Sequence, residues 1–374
     1  MKPTDYGNQR PLLQIKLENL LSFGPGSTPL KLENLNVLIG PNAAGKSNLI
    51  SFFRLLNAIS AGKLQEFVGR AGGANTLLHY GSKETPALWT SLEFEGKTGR
   101  QVYFSWLLSS TETDSLMFSN EQVDDRTTVH SPPTRRILGS GHRESQLTED
   151  ESSDLMALLT GIRVFHFEDT SETAALRRRC NIEDNRGLHH DAGNLAAFLY
   201  GMRQAQPQYY RRIVTTIQQI APFFEDFDLG PMRLDPNSVL LNWRDRDSDY
   251  LFGPHQLSDG TLRTMALIAL LAQPESELPS VIVIDEPEIG LHPYALEIVA
   301  SLVKSASGHC TVVLAAQSVG LVNHFAPEDI VTVTREKAQS KFERQNSETL
   351  AVWLEDYAIG EIWERNLIGG TPSR

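Results

Sequence analysis

The sequence predicts an α/β fold in which helices flank a mixed, largely parallel sheet. Near the N-terminus, the apolar run at 35–39 ends at a glycine and is followed, after a short loop, by apolar residues with helical spacing at 47–59. In the C-terminal part, helical patterns alternate with strand patterns, at 261–272, 281–284, 294–305 and 311–315. Such alternation is typical of parallel strands that are joined by helices.

Between these two regions, the chain predicts further elements and one long irregular segment. Alternating apolar and polar residues predict strands at 13–18, 87–94 and 101–108. Residues 109–154 are rich in Ser, Thr, Asp and Glu, which predicts a long, partly mobile excursion. After it, the pattern predicts two helices, at 194–204 and 207–224. Strand-like sequence follows at 232–252, with a hairpin tip at 244–247.

Composition excludes several classes of protein. The chain of 374 residues carries a formal net charge of −12, which argues against an indiscriminate nucleic-acid coat because phosphate neutralisation needs basic surface. No apolar run approaches the length of a membrane span, and the N-terminus lacks the apolar segment of a signal peptide. The 2 cysteines suit a reducing compartment better than a disulfide framework. Together these features predict a cytoplasmic protein with no membrane partner.

The strongest motif is a phosphate-binding loop between the strand at 35–39 and the helix at 47–59. Its residues fit the pattern G-x-x-x-x-G-K-[ST]: Gly40, Pro41, Asn42, Ala43, Ala44, Gly45, Lys46 and Ser47, followed by Asn48. In such a loop, backbone N–H groups and the helix N-terminus bind phosphate oxygens. We expect Lys46 to reach the β- and γ-phosphates and the Ser47 hydroxyl to bind Mg²⁺. ATP and Mg²⁺ are therefore the predicted cofactors.

A second motif is a buried strand that ends in two carboxylates. Four β-branched apolar residues, at 281–284, precede Asp285, Glu286 and Pro287. Beside a phosphate-binding loop, Asp285 is expected to hold Mg²⁺ and Glu286 to orient and polarise the attacking water. The alternative interpretation is an ordinary strand that ends at an acidic turn.

A third motif precedes the predicted helix at 261–272. It reads Leu257-Ser258-Asp259-Gly260-Thr261, and the Ser258 hydroxyl with the Gly260 backbone could form another anion site at a helix N-terminus. One nucleotide held by one chain does not need two phosphate sites, so the simplest explanation is that this segment completes the site of a second protomer. A plain Ser/Asp helix cap is the alternative.

The order of these motifs, with the text DEPEIGLHP at 285–293, resembles ABC-type ATPases of the RecF, OLD and SMC kind. It looks closest to the compact AAA family ATPases described as RecF-like or OLD-like, found in prokaryotic defence and DNA repair. Residues 19–24 and 191–196 match as well, so the resemblance covers most of the chain. The resemblance implies an ABC-type P-loop NTPase head with an inserted lid. It also implies a head-to-tail homodimer or higher homo-oligomer that sandwiches ATP, with Ser258 and Gly260 acting in trans.

The resemblance divides the chain into three parts, and the sequence departs from the family pattern at two positions. The first part, 1–108, is an N-terminal ATPase lobe with the P-loop. The second, 109–250, is a partly mobile helical and β lid, and the third, 251–374, is a C-terminal ATPase lobe with the signature and the acidic strand end.

The switch position, usually His in ABC ATPases, is Gln317, which can bond a γ-phosphate or water but cannot carry a proton. We therefore expect ATP hydrolysis to be slow. A Q-loop glutamine has only Gln146 as a weak candidate.

The predicted function is an ATP-binding and hydrolysing switch. Only 41 residues follow Val333, too few for the C-terminal Toprim nuclease of the OLD type, so we expect a separately encoded effector, perhaps a nuclease, in anti-phage defence. The alternative is a DNA-repair or recombination ATPase that clamps DNA directly.

Three other groups of residues carry weaker hypotheses. The basic run at 177–179 could touch DNA or be a solvated face. The alternating carboxylates Asp245, Asp247 and Asp249 could bind metal, but a hairpin tip is favoured. His189-His190-Asp191 fits a helix-capping loop better than a metal site.

Overall fold

The computed structural model describes residues 12–95, 100–126 and 132–369. Residues 1–11, which the signal-peptide expectation concerns, lie outside it. The helices are α1 Lys46–Ser60, α2 Leu64–Arg70, α3 Ala74–Leu77, α4 Glu149–Thr160, α5 Leu195–Ala205, α6 Pro207–Ile220, α7 Asp259–Leu271, α8 Pro293–Ser307, α9 Val319–Val322, α10 Ser347–Leu354 and α11 Ile359–Glu364. The strands are β1 Leu12–Glu18, β2 Leu30–Lys31, β3 Leu35–Ile39, β4 Ala87–Glu95, β5 Gln101–Ser110, β6 Leu116–Arg126, β7 Thr134–Gly139, β8 Ile162–Phe165, β9 Cys180–Asn181, β10 Phe224–Asp228, β11 Ser238–Val239, β12 Asn242–Asp245, β13 Ser248–Phe252, β14 Val281–Asp285, β15 Thr311–Ala315, β16 Ile330–Glu336 and β17 Gln339–Arg344.

These elements group into two compact units, each described here by itself. The P-loop unit comprises the described residues up to 164, residues 279–283 and the described residues from 309 onward. The signature unit comprises residues 165–278 and 284–308. The P-loop therefore lies in one unit, and the segment 257–261 and the carboxylates after β14 lie in the other.

A six-stranded mixed sheet forms the centre of the P-loop unit. Its order is β17-β16-β3-β15-β14-β8, with β3 parallel to β15 and β16 and with β17 antiparallel at the edge. Every residue of β3 and β15 is buried, as expected of central parallel strands that are covered on both faces. The predicted α/β class with a mixed, largely parallel sheet is confirmed.

A second, antiparallel sheet completes the P-loop unit, in the order β2-β1-β4-β5-β6-β7. Apolar side chains of β4 and β5 alternate inward, where Leu92, Phe104 and Trp106 are fully buried. Helix α1 contributes Phe52 and Phe53 to the same apolar cluster. This burial stabilises the helix that follows the P-loop, at roughly 1.5–3 kcal/mol for each large side chain removed from water.

The segment 109–154 differs most from its expected structure. It contains β6, β7 and α4 rather than a long irregular excursion. The rich Ser, Thr, Asp and Glu content hides an alternation in β6, where Leu116, Phe118 and Val123 are buried. Strand propensity depends on packing against neighbouring strands, which composition does not reveal. The proposed boundaries at 108 and 250 fall inside β5 and β13, and the three-part division remains a prediction.

The signature unit is largely helical. Its helices α5, α6, α7 and α8 contact one another in sequence order, and α7 is buried along most of its length. A three-stranded sheet, β10-β12-β13, and the short pair β9-β11 complete the unit. The predicted hairpin tip near Asp245 is the turn between β12 and β13. Helix α6 ends at Ile220, four residues earlier than predicted, because Phe224 begins β10.

No helix within the described part of the chain is both long enough and apolar enough to cross a membrane. This finding agrees with the composition, which contains no membrane-length apolar run.

We predict that Trp106→Ala destabilises the protein far more than Trp353→Ala. Trp106 is 0 % exposed and its ring centroid lies 4.7 Å from that of Phe104, whereas Trp353 is 41 % exposed. Loss of the buried ring should cost about 3–5 kcal/mol through lost burial and the cavity that remains, against about 0.5 kcal/mol at the surface. Urea unfolding followed by circular dichroism measures both. Equal shifts of the unfolding midpoint would contradict the described core.

Candidate functional site

The P-loop connects the buried strand β3 to helix α1. Helix α1 begins at Lys46, with Gly45 as its N-cap residue at a φ of 123°. A Cβ at position 45 would collide with the Ser340 hydroxyl, so both the positive φ and the close approach require glycine. The loop conformation therefore depends on a residue from β17.

Hydrogen bonds among the Ser340, Ser22 and Asn48 side chains support the P-loop backbone. The Ser340 Oγ lies 2.6 Å from the Ala44 carbonyl oxygen and 2.6 Å from the Ser22 Oγ. The Asn48 amide donates to the same Ser22 Oγ at 2.6 Å. Ser22 lies in the 19–24 segment that the resemblance marks, but nothing in the sequence indicates Ser340. These contacts fix the backbone at the point where phosphate would bind.

The loop and helix α1 fit an anionic ligand. Lys46 is buried, and its ammonium donates to the carbonyl oxygens of Gly40 and, at 3.3 Å, Pro41. No side chain of the described residues caps the N-terminus of α1, and its first turn contains no acidic residue. The helix dipole therefore favours a negatively charged ligand at this end of α1. Ser47 is exposed at this end.

The end of β14 carries the predicted carboxylates. Asp285 is the last residue of the strand, and its side chain is 15 % exposed. Glu286 follows with a φ of 47°, in the left-handed region that a non-glycine residue enters at a cost of about 1–3 kcal/mol. Such strain persists where the surroundings impose it, and here it redirects the chain immediately after Asp285.

The segment 257–261 begins helix α7 in the manner of a cap. Ser258 is the N-cap residue, and its Oγ accepts a hydrogen bond from the Thr261 backbone N–H at 3.2 Å. A Cβ at Gly260 would collide with the Gly290 carbonyl oxygen, so this glycine permits α7 to approach the turn that follows Glu286. The sequence allowed two interpretations of this segment, a helix cap and a phosphate site for a second protomer. Both remain open, because the residue that caps the helix, Ser258, is exposed.

Arg177 holds this segment from within the signature unit. Its side chain is 7 % exposed and donates to the carbonyl oxygens of Thr170, Pro254 and Leu257. It also pairs with Asp259 at 2.7 Å. The hypothesis that Arg177 contacts DNA or lies on a solvated face is therefore wrong. A run of three arginines gave no sign that the first is buried, because only the fold brings carbonyl oxygens around it.

His166 is a residue that the sequence reasoning missed. It follows β8, the neighbour of β14 in the sheet order, and its Nδ1 lies 3.6 Å from the Asp285 Oδ2. Its Nε2 lies 2.8 Å from the Glu168 Oε2. A small pocket beside these side chains is lined by His166, Glu168, Arg263, Asp285, Glu286 and Ile289. A polar residue directly after a short apolar strand was the available sequence signal.

Arg263 joins the two sides of this pocket. From helix α7, its guanidinium donates to the carbonyl oxygen of Phe167 at 3.0 Å and to that of Glu168 at 2.6 Å. It also donates to the Ile289 carbonyl oxygen at 3.1 Å. The planar donor fork therefore fixes the segment after His166 relative to the turn after Glu286.

The two glutamines lie in different settings. Gln317 is exposed directly after β15 in the P-loop unit. Gln146 lies between β7 and α4, where its backbone N–H donates at 3.0 Å to the fully buried Glu121 carboxylate. His142 and Ser145 bond the same carboxylate. This arrangement gives Gln146 a structural task in the P-loop unit.

Other candidate groups are simpler. Among the described residues, no group of three or more His, Cys, Asp or Glu side chains could hold a metal ion alone. His189 lies 3.1 Å from Asp184 in the loop before α5. Cys180 and Cys310 form no disulfide, and burial raises the pKa of Cys310 to about 12, so it is not a nucleophile near neutral pH.

We predict that Arg177→Ala loosens the signature segment, whereas Arg178→Ala, at an exposed neighbour, does not. Removal of the guanidinium leaves buried carbonyl oxygens without a donor, at about 1–3 kcal/mol for each. A local loss of about 2 kcal/mol corresponds to roughly thirtyfold faster amide exchange. Hydrogen–deuterium exchange of peptides that cover 257–261 measures this. Unchanged exchange in Arg177→Ala would show that other contacts hold the segment.

Comparisons with known proteins agree with this architecture. Residues 35–323 match the family described as "AAA domain, putative AbiEii toxin, Type IV TA system". Comparison of the sequence with curated proteins gives no match.

Solved structures of Smc heads have a similar fold. A crystal structure of an Smc head bound to the C-winged helix domain of ScpA aligns with a TM-score of 0.62 at 16 % identity, over 91 % of this chain and 99 % of that one. A Pyrococcus furiosus Smc head with an extended coiled coil, bound to the C-terminal domain of ScpA, aligns with a TM-score of 0.61 at 14 % identity, over 92 % and 98 %. The chain therefore belongs to the AAA domain family that matches residues 35–323, and it shares the fold of the Smc heads.

Proposed function

We propose that the protein is an ATP-driven switch whose head closes with a second copy around ATP and controls a partner protein in the cytoplasm. The observation that carries the proposal is the P-loop with its uncapped helix. Lys46 lies inside the loop, and no side chain of the described residues caps the N-terminus of α1. Both features suit a polyphosphate.

The proposed roles follow the chemistry of each residue. Residues Gly40 to Asn48 bind the phosphates, with Lys46 at the β- and γ-phosphates. Ser47 and Asp285 would hold Mg²⁺, which would supply positive charge beside the phosphates. Glu286 orients the attacking water as a general base, and Gln317 bonds the γ-phosphate or this water without carrying a proton. Turnover that lacks a protonatable switch residue is expected to be slow.

A second protomer is proposed to complete the site. Ser258 caps α7 and Gly260 lies in its first turn; α7 is a helix of 13 residues, so its N-terminal dipole can face an anion. The Ser258 hydroxyl already caps the helix and is exposed, which lets it exchange its backbone contact for a phosphate oxygen. The close packing at Gly260 keeps this end of α7 rigid against the turn that carries Glu286.

A separately encoded effector, perhaps a nuclease, is the proposed partner, and anti-phage defence is the proposed context. Two observations support this choice. The matching family is described by a toxin of a type IV toxin–antitoxin system. The similar Smc heads are seen with a domain of another protein, ScpA. Direct DNA clamping is less favoured, since Arg177 is buried and Arg179 lies 3.5 Å from Asp235.

We predict that Glu286→Gln traps an ATP-bound dimer and that Lys46→Ala prevents it. The amide cannot act as a general base, so hydrolysis should fall by about 10²–10⁴-fold while ATP still binds. Without Lys46, the loop loses the cation that faces the phosphates. Light scattering with and without ATP measures the mass, and phosphate release measures turnover.

A matched control for these variants is Lys304→Ala, at an exposed position near the end of α8. It should hydrolyse ATP as the wild type does. If Glu286→Gln binds ATP without any change in mass, the sandwich dimer is incorrect. If it hydrolyses ATP at the wild-type rate, Glu286 is not the base.

We predict that the chain co-purifies with another gene product when it is expressed from its native operon. A switch with a separate effector needs a lasting complex in at least one nucleotide state. The test is to express the operon with the Glu286→Gln variant, which should hold ATP, to purify the chain and to identify bound proteins by mass spectrometry. A chain that stays alone and clears phage unaided would contradict it, and hydrolysis that DNA stimulates with steep salt dependence would favour the DNA-clamping alternative.

A further inference from the structure

The two ring nitrogens of His166 have different surroundings. Nε2 lies 2.8 Å from the Glu168 carboxylate, well within hydrogen-bond range. Nδ1 is buried and has no hydrogen-bond partner among the described residues. The Asp285 Oδ2 lies 3.6 Å from it. The mechanism proposed above gives this histidine no task.

The hydrogen bond to Glu168 decides which ring nitrogen carries the proton. A carboxylate accepts, so Nε2–H donates, and the neutral imidazole then presents the Nδ1 lone pair to Asp285. In this tautomer two acceptors face each other in a partly buried pocket, and a cation bound between them would relieve the repulsion. The 3.6 Å separation is too long for a hydrogen bond from an imidazolium.

The separation suits two ligands of one metal ion. Ligand atoms that each lie about 2.1 Å from an ion are about 3–3.6 Å apart at angles of about 90–120°. A histidine ligand also commonly donates its other ring N–H to a carboxylate, which fixes its tautomer and orientation. Glu168 occupies this position, so the geometry of His166 is that of a ligand rather than of an ordinary surface histidine.

Arg263 holds the two ligands in place. Its bonds to the carbonyl oxygens of Phe167 and Glu168 fix the backbone directly after His166. Its bond to the Ile289 carbonyl oxygen fixes the turn after Asp285. Both ligands therefore lie on backbone that is constrained before any ion binds, which lowers the entropy lost on binding.

We propose that His166, through Nδ1, is a metal ligand beside Asp285, and that it makes the site prefer a first-row transition ion such as Mn²⁺ over Mg²⁺. Mg²⁺ takes oxygen ligands almost exclusively, whereas an imidazole nitrogen favours transition ions. Since no third His, Cys, Asp or Glu of the described residues completes the group, the remaining ligands are water and phosphate oxygens. The inference therefore rests on the proposed ATP-binding function.

The test uses pulsed electron paramagnetic resonance of Mn²⁺ bound to the full chain with a non-hydrolysable ATP analogue. The protein is made with ¹⁵N-labelled and with unlabelled histidine. A coordinated imidazole should give a nitrogen coupling that changes with the label and needs no substitution to be identified. His166→Gln should lose the coupling, and His309→Gln, at an exposed histidine of the P-loop unit, should keep it.

Calorimetry of Mn²⁺ and Mg²⁺ in the same samples gives a second measurement. His166→Gln should lower the preference for Mn²⁺ over Mg²⁺ by about tenfold, and Glu168→Ala should weaken Mn²⁺ by at least about tenfold, because it orients the ligand. Fluorescent nucleotide binding is measured alongside. If no sample binds nucleotide, the proposed function fails. If nucleotide and Mn²⁺ bind but no histidine coupling appears in the wild type, the inference is overturned and the function stands.

Discussion

The guanidinium of Arg263 is the interaction on which the arrangement around Asp285 depends. It satisfies carbonyl oxygens from two segments that are distant in sequence, the one after His166 and the turn after Glu286. A rigid, planar donor serves both because its N–H groups point in fixed directions. The same helix is capped by Ser258 and contains Gly260, so one element positions the signature residues and the surroundings of the carboxylates.

The P-loop depends on a corresponding constraint in the other unit. The Ser340 hydroxyl fills the space that a side chain at position 45 would take, and it bonds the Ala44 carbonyl. Ala43 in the P-loop and Glu286 after Asp285 each have a positive φ, which marks local backbone strain. Strain of this kind needs surrounding contacts that impose it. The Ser340 bond to the Ala44 carbonyl lies beside Ala43, and the Arg263 bond to the Ile289 carbonyl lies in the turn after Glu286.

Much of the fold follows from local patterns. Helices α1, α5, α7 and α8 and strands β3, β14 and β15 lie within two residues of their predicted bounds, because apolar periodicity is strong there. The segment 109–154 did not follow its composition, since strands β6 and β7 are stabilised by pairing with β5 and with each other. The three arginines at 177–179 predict an exposed basic surface, yet the first of them, Arg177, is buried.

The sequence by itself determined the order and chemistry of the P-loop, the signature and the acidic strand end, because each is a short segment whose residue types meet a local requirement. Tertiary structure decided what supports them. Ser340 and Ala44 are 296 positions apart, and Arg177 and Leu257 are 80 positions apart. It also decided that His166 faces Asp285. Such contacts depend on sheet order and helix packing, and no periodicity within either segment encodes the partner that it meets.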